Sequence, residues 1–135
     1  MKALIIISHP EIESFCYDGI YRTIKSTLSK NENVEIQTAE LYQEDFRREN
    51  KELIEKYKEY VSWSTHIYFV SPVWWFRCTP KLEVFFDEIF TPGFAYEFKS
   101  ITKTIGFPSP LLKDKVVRTF VTHGAPAFPV LTLYA

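Results

Sequence analysis

Two tryptophans and a phenylalanine stand next to one another at Trp74, Trp75 and Phe76, just after an apolar segment. Because neighbouring residues in a loop point in different directions, the three rings cannot all be buried, and at least one is expected at the surface. A broad ring at the surface can stack on a planar aromatic ligand. Taken alone, the segment is explained better as a hydrophobic plug or as a contact between two chains.

A second group of polar side chains lies in the segment SHPEIESF, residues 8–15, before a predicted helix. The start of a helix presents unpaired N–H groups and a partial positive charge, which together favour a phosphate. The Ser14 hydroxyl and the His9 ring supply further donors, whereas Glu11 and Glu13 oppose an anion unless they face solvent. Ser14 as a simple helix cap is an equally good interpretation.

A third group, Thr122, His123, Gly124 and Ala125, follows another apolar segment. Gly124 permits close approach of the backbone to a ligand, and the small Ala125 leaves room beside it. Thr122 and His123 offer polar groups, although a single histidine more often has a structural role.

Aromatic residues alternate in the segment PGFAYEF, residues 92–98, where Ala95 separates Phe94 from Tyr96 and Phe98 follows. One interpretation is an aromatic wall over the open face of a ligand. A short strand or a lid on the core explains the same pattern, and the sequence leaves these alternatives open.

The elements that carry these groups alternate along the chain. Four apolar or alternating segments predict strands: Lys2–Ser8, Val34–Thr38, His66–Val70 and Val116–Val121. Apolar residues at three- and four-residue spacing predict helices between them: Cys16–Ser29, Lys51–Ser62 and Pro80–Phe90. This alternation predicts an α/β fold with a doubly wound parallel sheet, whose strands end at one ligand-binding edge. The loops after strands one, three and four therefore meet there, and together they predict a site for a phosphorylated, planar, aromatic cofactor.

The composition limits the alternatives. The 135 residues suit a single domain spanning 1–135, and a net charge of −1 gives no electrostatic basis for binding nucleic acid. No apolar segment approaches the ~18 residues of a membrane span. Two cysteines are too few for a disulfide framework, which favours a cytoplasmic location. The four glycines form no GxGxxG motif, and the three histidines are too scattered for a local zinc motif, so no metal site is expected.

Four segments form a specific pattern in this order: SHPEIESF, SPVWWFRCTPKLEVFFDEIF, GFAYEF and LLKDKVVRTFVTHGAP. The pattern P-x-x-W-F from Pro72 to Phe76 and the G-F-A-Y motif that begins at Gly93 carry most of it. Through them the chain resembles the flavodoxin-like NAD(P)H:quinone oxidoreductases, a group that includes DT-diaphorase, the modulator-of-drug-activity quinone reductases and the ancillary flavoproteins of potassium efflux systems. The resemblance implies a flavodoxin-like sheet with strand order 2-1-3-4, without the fifth strand and last helices of the family.

The resemblance implies a bound flavin, FMN or FAD, and a ping-pong reaction in which NAD(P)H gives a hydride to the flavin and a quinone then takes it. The residues that the loops and the resemblance together assign to the flavin are His9, Ser14, Phe15, Cys16, Pro72, Val73, Trp74, Trp75, Phe76, Thr122, His123, Gly124 and Ala125. Phe94, Ala95 and Tyr96 match the stretch that contacts the substrate, often across the interface of a homodimer. His123 is the candidate catalytic residue, polarising the quinone oxygen.

Several features depart from the family. Cys16 stands where an asparagine is frequent beside the phosphate, and Arg77 stands where a small residue is common. Arg77 either binds a second phosphate or crowds the loop. The chain stops at Ala135, earlier than family members do. We therefore expect a truncated chain, a fourth strand that is an exposed apolar edge or is covered by a partner, and weak or absent flavin binding.

An alternative function is that of a regulatory flavin- and nucleotide-binding subunit of a membrane transporter, because the same motifs serve both roles. A one-electron flavodoxin carrier is less well supported, since such carriers are typically far more acidic than a net charge of −1.

Overall fold

The computed structural model describes residues 1–100 and 106–124. Its strands are β1 (Lys2–Ile7), β2 (Glu35–Glu40), β3 (His66–Pro72), β4 (Tyr96–Ser100), β5 (Gly106–Pro110) and β6 (Val116–Thr122). Its α-helices are α1 (Arg22–Ser29), α2 (Lys51–Trp63) and α3 (Pro80–Ile89), and a π-helical segment, Cys16–Tyr21, leads into α1. No helix in this part of the chain has the length and apolar character needed to cross a membrane.

Four parallel strands form the main sheet in the order β2-β1-β3-β6. This confirms the predicted order 2-1-3-4, because β6 is the fourth strand that the sequence predicts. β1 lies between β2 and β3, with Ile7 opposite Glu40 on one side and Val70 on the other. All residues of β1 from Ala3 to Ile7 are buried, as a continuous apolar run predicts for a strand covered on both faces.

Helices cover the two faces of this sheet. On one face, α2 and α3 enclose an apolar core that contains three fully buried aromatic rings, Phe46, Tyr57 and Phe85. On the other face, the π-helical segment packs Tyr17 and Tyr21 against the sheet. Full burial of a large apolar side chain contributes about 1.5–3 kcal/mol. The apolar cores on the two faces therefore stabilise the sheet whose carboxyl edge is described below.

Two of the three α-helices begin where a local sequence signal predicts a helix start. Pro80 stands in the first turn of α3, as predicted, and Asn50 caps α2 by accepting a hydrogen bond from the Leu53 N–H at 3.2 Å. The predicted helix Cys16–Ser29 begins instead as a π-helix, in which the Arg22 N–H bonds to the Tyr17 carbonyl five residues back. Single π-helical turns are frequent at functional sites.

A polar cluster closes the connection between β2 and α2. The Glu44 carboxylate accepts hydrogen bonds from the Tyr57 hydroxyl at 2.6 Å, the Glu40 N–H at 2.8 Å and the Lys56 ammonium at 3.1 Å. Burial alone would raise the pKa of Glu44, but the hydrogen bonds outweigh burial and hold the pKa below its usual value. The ionised form of Glu44 therefore stabilises the fold.

Two buried tyrosines beside β2 differ in how their hydroxyls are satisfied. The Tyr21 hydroxyl donates to Glu40 at 2.9 Å, whereas the Tyr17 hydroxyl has no hydrogen-bond partner among the described residues. Burial first, and then the Glu40 carboxylate, raise the pKa of both phenols, so both stay neutral. Tyr17 thus carries an unsatisfied buried polar group, which is rare in folded proteins.

An antiparallel hairpin of β4 and β5 stands beside the main sheet. Although Gly106–Pro110 contains a glycine and two prolines, it pairs with Tyr96–Ser100 along its whole length. The prolines are tolerated because, in the described part of the chain, β5 pairs along one side only and needs fewer backbone donors. The alternating aromatic segment at residues 92–98 therefore runs into a strand, one of the alternatives that the sequence left open.

β6 is the edge strand of the main sheet among the strands that the structure describes. Val117 and Val121 remain 52% and 51% exposed, and Val116 and Phe120 are exposed as well. This matches the exposed apolar edge that we expected for the fourth strand. Only the last residue of β6, Thr122, is partly covered, and it is covered by the loops described next.

Candidate functional site

The loops after β1, β3 and β6 meet at the carboxyl edge of the main sheet. The Val73 N–H donates to the Thr122 carbonyl at 2.8 Å, and the Thr122 hydroxyl lies within hydrogen-bond distance of the Cys16 thiol, at 3.3 Å. The rings of His9 and Trp74 meet edge to face, with their centroids 6.1 Å apart. These contacts join the three loops directly, in agreement with the prediction of a single site.

Two buried hydroxyls fix the base of this edge. The Ser8 N–H donates to the Val70 carbonyl at 2.9 Å, and the Ser8 hydroxyl bonds to the hydroxyl of Thr79. Ser8 and Thr79 are both fully buried. Thr79 precedes α3 but makes no side-chain cap on that helix; its hydroxyl bonds to Ser8 instead. The start of α3 is thereby tied to the end of β1.

The loop after β3 contains a tight turn with an unusual backbone. Trp74 and Arg77 exchange two hydrogen bonds, in which each N–H donates to the other carbonyl at 3.0 Å. The two residues between them, Trp75 and Phe76, have φ values of 50° and 60°. Positive φ at both central positions is typical of a type I′ turn, which favours asparagine and glycine. A bulky residue in this conformation costs about 1–2 kcal/mol.

This strained turn displays aromatic surface to solvent. Trp75 is 92% exposed and Phe76 is 50% exposed, which rules out the hydrophobic plug that the sequence left open. Backbone strain of this kind concentrates at functional sites, where the surrounding structure maintains it. The turn is therefore best interpreted as a contact surface for a ligand or another chain.

The first loop presents another exposed ring, Phe15, which lies against the backbone of Gly19. A Cβ atom at Gly19 would come within 2.2 Å of the Phe15 Cε2 atom, so the absence of a side chain allows the ring to rest on the π-helical segment. The Ser14 hydroxyl accepts a hydrogen bond from the Tyr17 N–H at 3.4 Å. The same N–H donates to the Ser14 backbone carbonyl at 3.0 Å, and the segment that starts at Cys16 has no side-chain cap, so neither interpretation of Ser14 drawn from the sequence is decided.

The titratable groups of the site are arranged for binding rather than for nucleophilic attack. The Glu11 N–H donates to His9 Nδ1 at 3.0 Å, so the proton of a neutral His9 ring is on Nε2, which can donate to a ligand. Partial burial and the nearby Glu83 carboxylate raise the pKa of the Cys78 thiol. Cys78 therefore remains a thiol at neutral pH and is not an activated nucleophile.

Comparison with protein families gives the family of the chain. A family model described as the flavodoxin-like fold matches residues 1–131. The chain belongs to this flavodoxin-like family. No curated protein sequence matches the chain.

Several solved structures are similar to this flavodoxin-like chain. Smu.1420 from Streptococcus mutans is 26% identical, with a TM-score of 0.82 over 98% of this chain and 73% of that protein. An NAD(P)H:quinone oxidoreductase from Methanothermobacter marburgensis is 19% identical, with a TM-score of 0.78 over 98% of this chain and 72% of that enzyme. General stress protein 14 from Treponema denticola, solved in complex with FMN, is 25% identical, with a TM-score of 0.64 over 94% of this chain and 64% of that protein.

The predicted cofactor residues gather at the carboxyl edge of the flavodoxin-like sheet, with one exception. Those at this edge, in the three loops or at the strand ends, are His9, Ser14, Phe15, Cys16, Pro72, Val73, Trp74, Trp75, Phe76, Thr122, His123 and Gly124. Ala125 lies outside the described residues. Contact of these residues with a cofactor stays a prediction.

The predicted substrate residues are not at this edge in a single flavodoxin-like chain. Phe94 packs against the core beside α3, and Ala95 lines a small apolar pocket together with Ile67. Ile67 lies five positions before Pro72, which corresponds to about 16 Å along a strand. The Tyr96 ring packs edge-on against another ring of the hairpin. Contact of these residues with a substrate stays a prediction.

Sequence reasoning missed three residues that shape the site. Gly19 gave no signal, because a glycine within a helical pattern does not reveal which ring it accommodates. Ser8 and Thr79 form a tertiary contact across 71 positions, which no local pattern contains. A threonine just before a helix that begins with proline predicts an N-cap. That signal would have paired the Thr79 hydroxyl with a backbone N–H of α3 instead of with Ser8.

Proposed function

We propose that this chain binds a flavin and transfers a hydride from NAD(P)H to an organic acceptor such as a quinone. The observation that carries the proposal is the strained turn between Trp74 and Arg77, which holds Trp75 and Phe76 exposed beside the loops after β1 and β6. An exposed aromatic surface next to the start of a helix suits a ligand with a flat ring system and a phosphate group. The FMN bound to the Treponema denticola protein supports FMN as the first candidate, with FAD as the second.

The three loops would contribute different groups to the cofactor. The aromatic turn with the Val73 backbone would pack the flavin ring, and His9 Nε2–H would donate to the phosphate. The thiol of Cys16 is already within hydrogen-bond distance of Thr122, so its contribution to phosphate binding comes from its backbone N–H.

A bound flavin supplies the redox chemistry, accepting a hydride from NAD(P)H and passing it to the acceptor. The residues of the chain bind and orient the reactants and exclude water from them. We propose that His123, which follows β6 directly, donates a hydrogen bond to the acceptor oxygen and so favours its reduction.

We further propose that Phe94, Ala95 and Tyr96 contact the acceptor in a homodimer. Within one chain Phe94 packs against the core and Ala95 lines a pocket with Ile67, so contact from a second copy is the arrangement that we propose. The exposed aromatic turn supplies an apolar surface that pairing of two chains would bury.

Titration of the purified chain with FMN and with FAD, followed by visible absorbance and flavin fluorescence, tests the proposed cofactor. Bleaching of the flavin absorbance by NADH or NADPH under nitrogen, and its return on adding a soluble quinone, tests the reaction. The double variant Trp75→Ala/Phe76→Ala should lose flavin binding. The matched variant Phe107→Ala removes a ring of the hairpin whose exposure lies between those of Trp75 and Phe76, and it should keep flavin binding. No spectral change with either flavin at millimolar concentration refutes the proposal and agrees instead with the absent flavin binding that the sequence also allowed.

A further inference from the structure

Arg77 closes the strained turn and is also paired with a carboxylate on α3. Its Nε atom donates to Glu83 Oε1 at 3.0 Å, and its terminal Nη2 atom donates to Glu83 Oε2 at 2.9 Å. Two parallel bonds of this kind use one whole edge of the guanidinium group and both oxygens of the carboxylate. The geometry is therefore specific, although both side chains are at the surface.

Glu83 is itself held by the rest of the site. It lies in the first turn of α3, and its N–H donates to the Thr79 carbonyl at 3.1 Å. The Thr79 hydroxyl bonds in turn to Ser8 at the end of β1. A continuous series of hydrogen bonds thus runs from the turn, through Arg77 and α3, to the centre of the sheet.

Two roles of Arg77 remained open from the sequence, a phosphate ligand and a residue that crowds the loop. The structure points to a third role. Binding a phosphate through the same edge would require Arg77 to give up both bonds to Glu83. The backbone of Arg77 is meanwhile half of the hydrogen-bonded pair that closes the turn around Trp75 and Phe76.

We propose that Arg77 and Glu83 form a clamp that holds the aromatic turn in its strained conformation, so that Arg77 is a positioning residue of the flavin site. The proposal rests on the proposed function for its effect on flavin binding. Its effect on the turn itself is independent of any cofactor, and the two effects can be measured separately.

If the clamp exists, substitution of Arg77 or of Glu83 should weaken flavin binding to the same extent. Arg77→Ala and Glu83→Gln should each weaken FMN binding about two- to five-fold, the range expected for loss of an exposed ion pair. The reversed pair, Arg77→Glu/Glu83→Arg, should recover most of the affinity. A phosphate ligand behaves differently, because Glu83→Gln would release Arg77 and strengthen binding, and the reversed pair would bind worst.

The conformation of the turn is followed by fluorine NMR of the full chain labelled with 5-fluorotryptophan. The three tryptophans each give one signal, and Trp63 on α2 serves as an internal reference. Loss of the clamp should shift or broaden the signals of Trp74 and Trp75 while that of Trp63 stays unchanged. The reversed pair should restore the native spectrum.

A matched control is the ion pair of Lys58 and Glu55 on α2, 3.1 Å apart, in which Glu55 is exposed and Lys58 is partly buried. Lys58→Ala removes a similar ion pair and should leave both FMN affinity and the tryptophan signals unchanged. Native signals of Trp74 and Trp75 in both Arg77→Ala and Glu83→Gln overturn the clamp, whatever happens to FMN. If the unmodified chain binds no flavin, the proposed function fails, and the fluorine spectra still decide whether the clamp exists.

Discussion

Replacing the aromatic turn by its preferred residues should make the chain more stable and less able to bind flavin. In the double variant Trp75→Asn/Phe76→Gly, the two positions with positive φ receive the residues that a type I′ turn favours. The native turn would thus lower the stability of the chain while it favours flavin binding. Such a loss of stability in favour of function is common at functional sites.

The size of the gain follows from strain, burial and chain entropy. Relief of strain at the two positions contributes about 1–2 kcal/mol each. The glycine costs about 0.5–1 kcal/mol through the greater freedom of the unfolded chain. Trp75 is 92% exposed and loses almost no burial, whereas the half-exposed Phe76 loses about 1 kcal/mol. The net stabilisation is therefore about 1 kcal/mol, which raises Tm by roughly 4 °C for a domain of this size.

Urea unfolding and calorimetry of the cofactor-free chain measure the gain, and FMN titration measures the loss. Asp45→Gly is the matched control, since Asp45 also has a positive φ, of 51°. Aspartate tolerates this conformation, so its replacement should change the free energy of unfolding by only a few tenths of a kcal/mol. If the double variant is less stable than the native chain, or binds FMN equally well, the link between strain and function is wrong.

Three further predictions concern residues around the site and β2. Tyr17→Phe should leave the free energy of unfolding unchanged or raise it slightly, because the Tyr17 hydroxyl has no hydrogen-bond partner among the described residues, whereas Tyr21→Phe should lower it by about 1 kcal/mol in urea unfolding. Gly19→Ala should raise stability by up to about 1 kcal/mol through helix propensity. It should also displace the Phe15 ring and weaken FMN binding in a titration, and this loss should vanish in a background of Phe15→Ala. Glu44→Gln should cost about 1–3 kcal/mol at pH 7. Because folding lowers the pKa of Glu44, its carboxylate contributes fully to stability above the unfolded pKa of about 4.3 and loses this contribution as the pH falls through the folded pKa. The difference in free energy of unfolding between the variant and the native chain should therefore shrink below about pH 4.

The parallel sheet was predictable because its signal is carried by many residues at once. The apolar run of β1 and the helical spacing of α2 and α3 each repeat the same information over a whole element. Strand order then followed from the resemblance, and the meeting of three loops followed from the rule that parallel strands end at one edge. The contacts of Thr122 with Val73 and Cys16 bear this out.

The backbone conformations of the aromatic turn and of the segment after Phe15 were not predictable in this way. The positive φ of Trp75 and Phe76 contradicts what their residue types favour, so local propensity pointed away from the observed turn. The π-helical start at Cys16 adds one residue to a turn without changing which residues are apolar. Neither deviation follows from local propensity, so a single sequence contains no local record of either.

The last residue of β6 is also part of the site. Its side chains from Val116 to Val121 are exposed, so packing contributes little to holding the strand, and its backbone pairs with β3 alone among the described strands. At the carboxyl end, however, Thr122 is held by Val73 and lies within hydrogen-bond distance of Cys16. A ligand that binds to these loops would therefore also stabilise the end of β6, because Thr122 belongs both to the strand and to the site. A cofactor bound at this edge would in this way contribute to the integrity of the sheet that presents it.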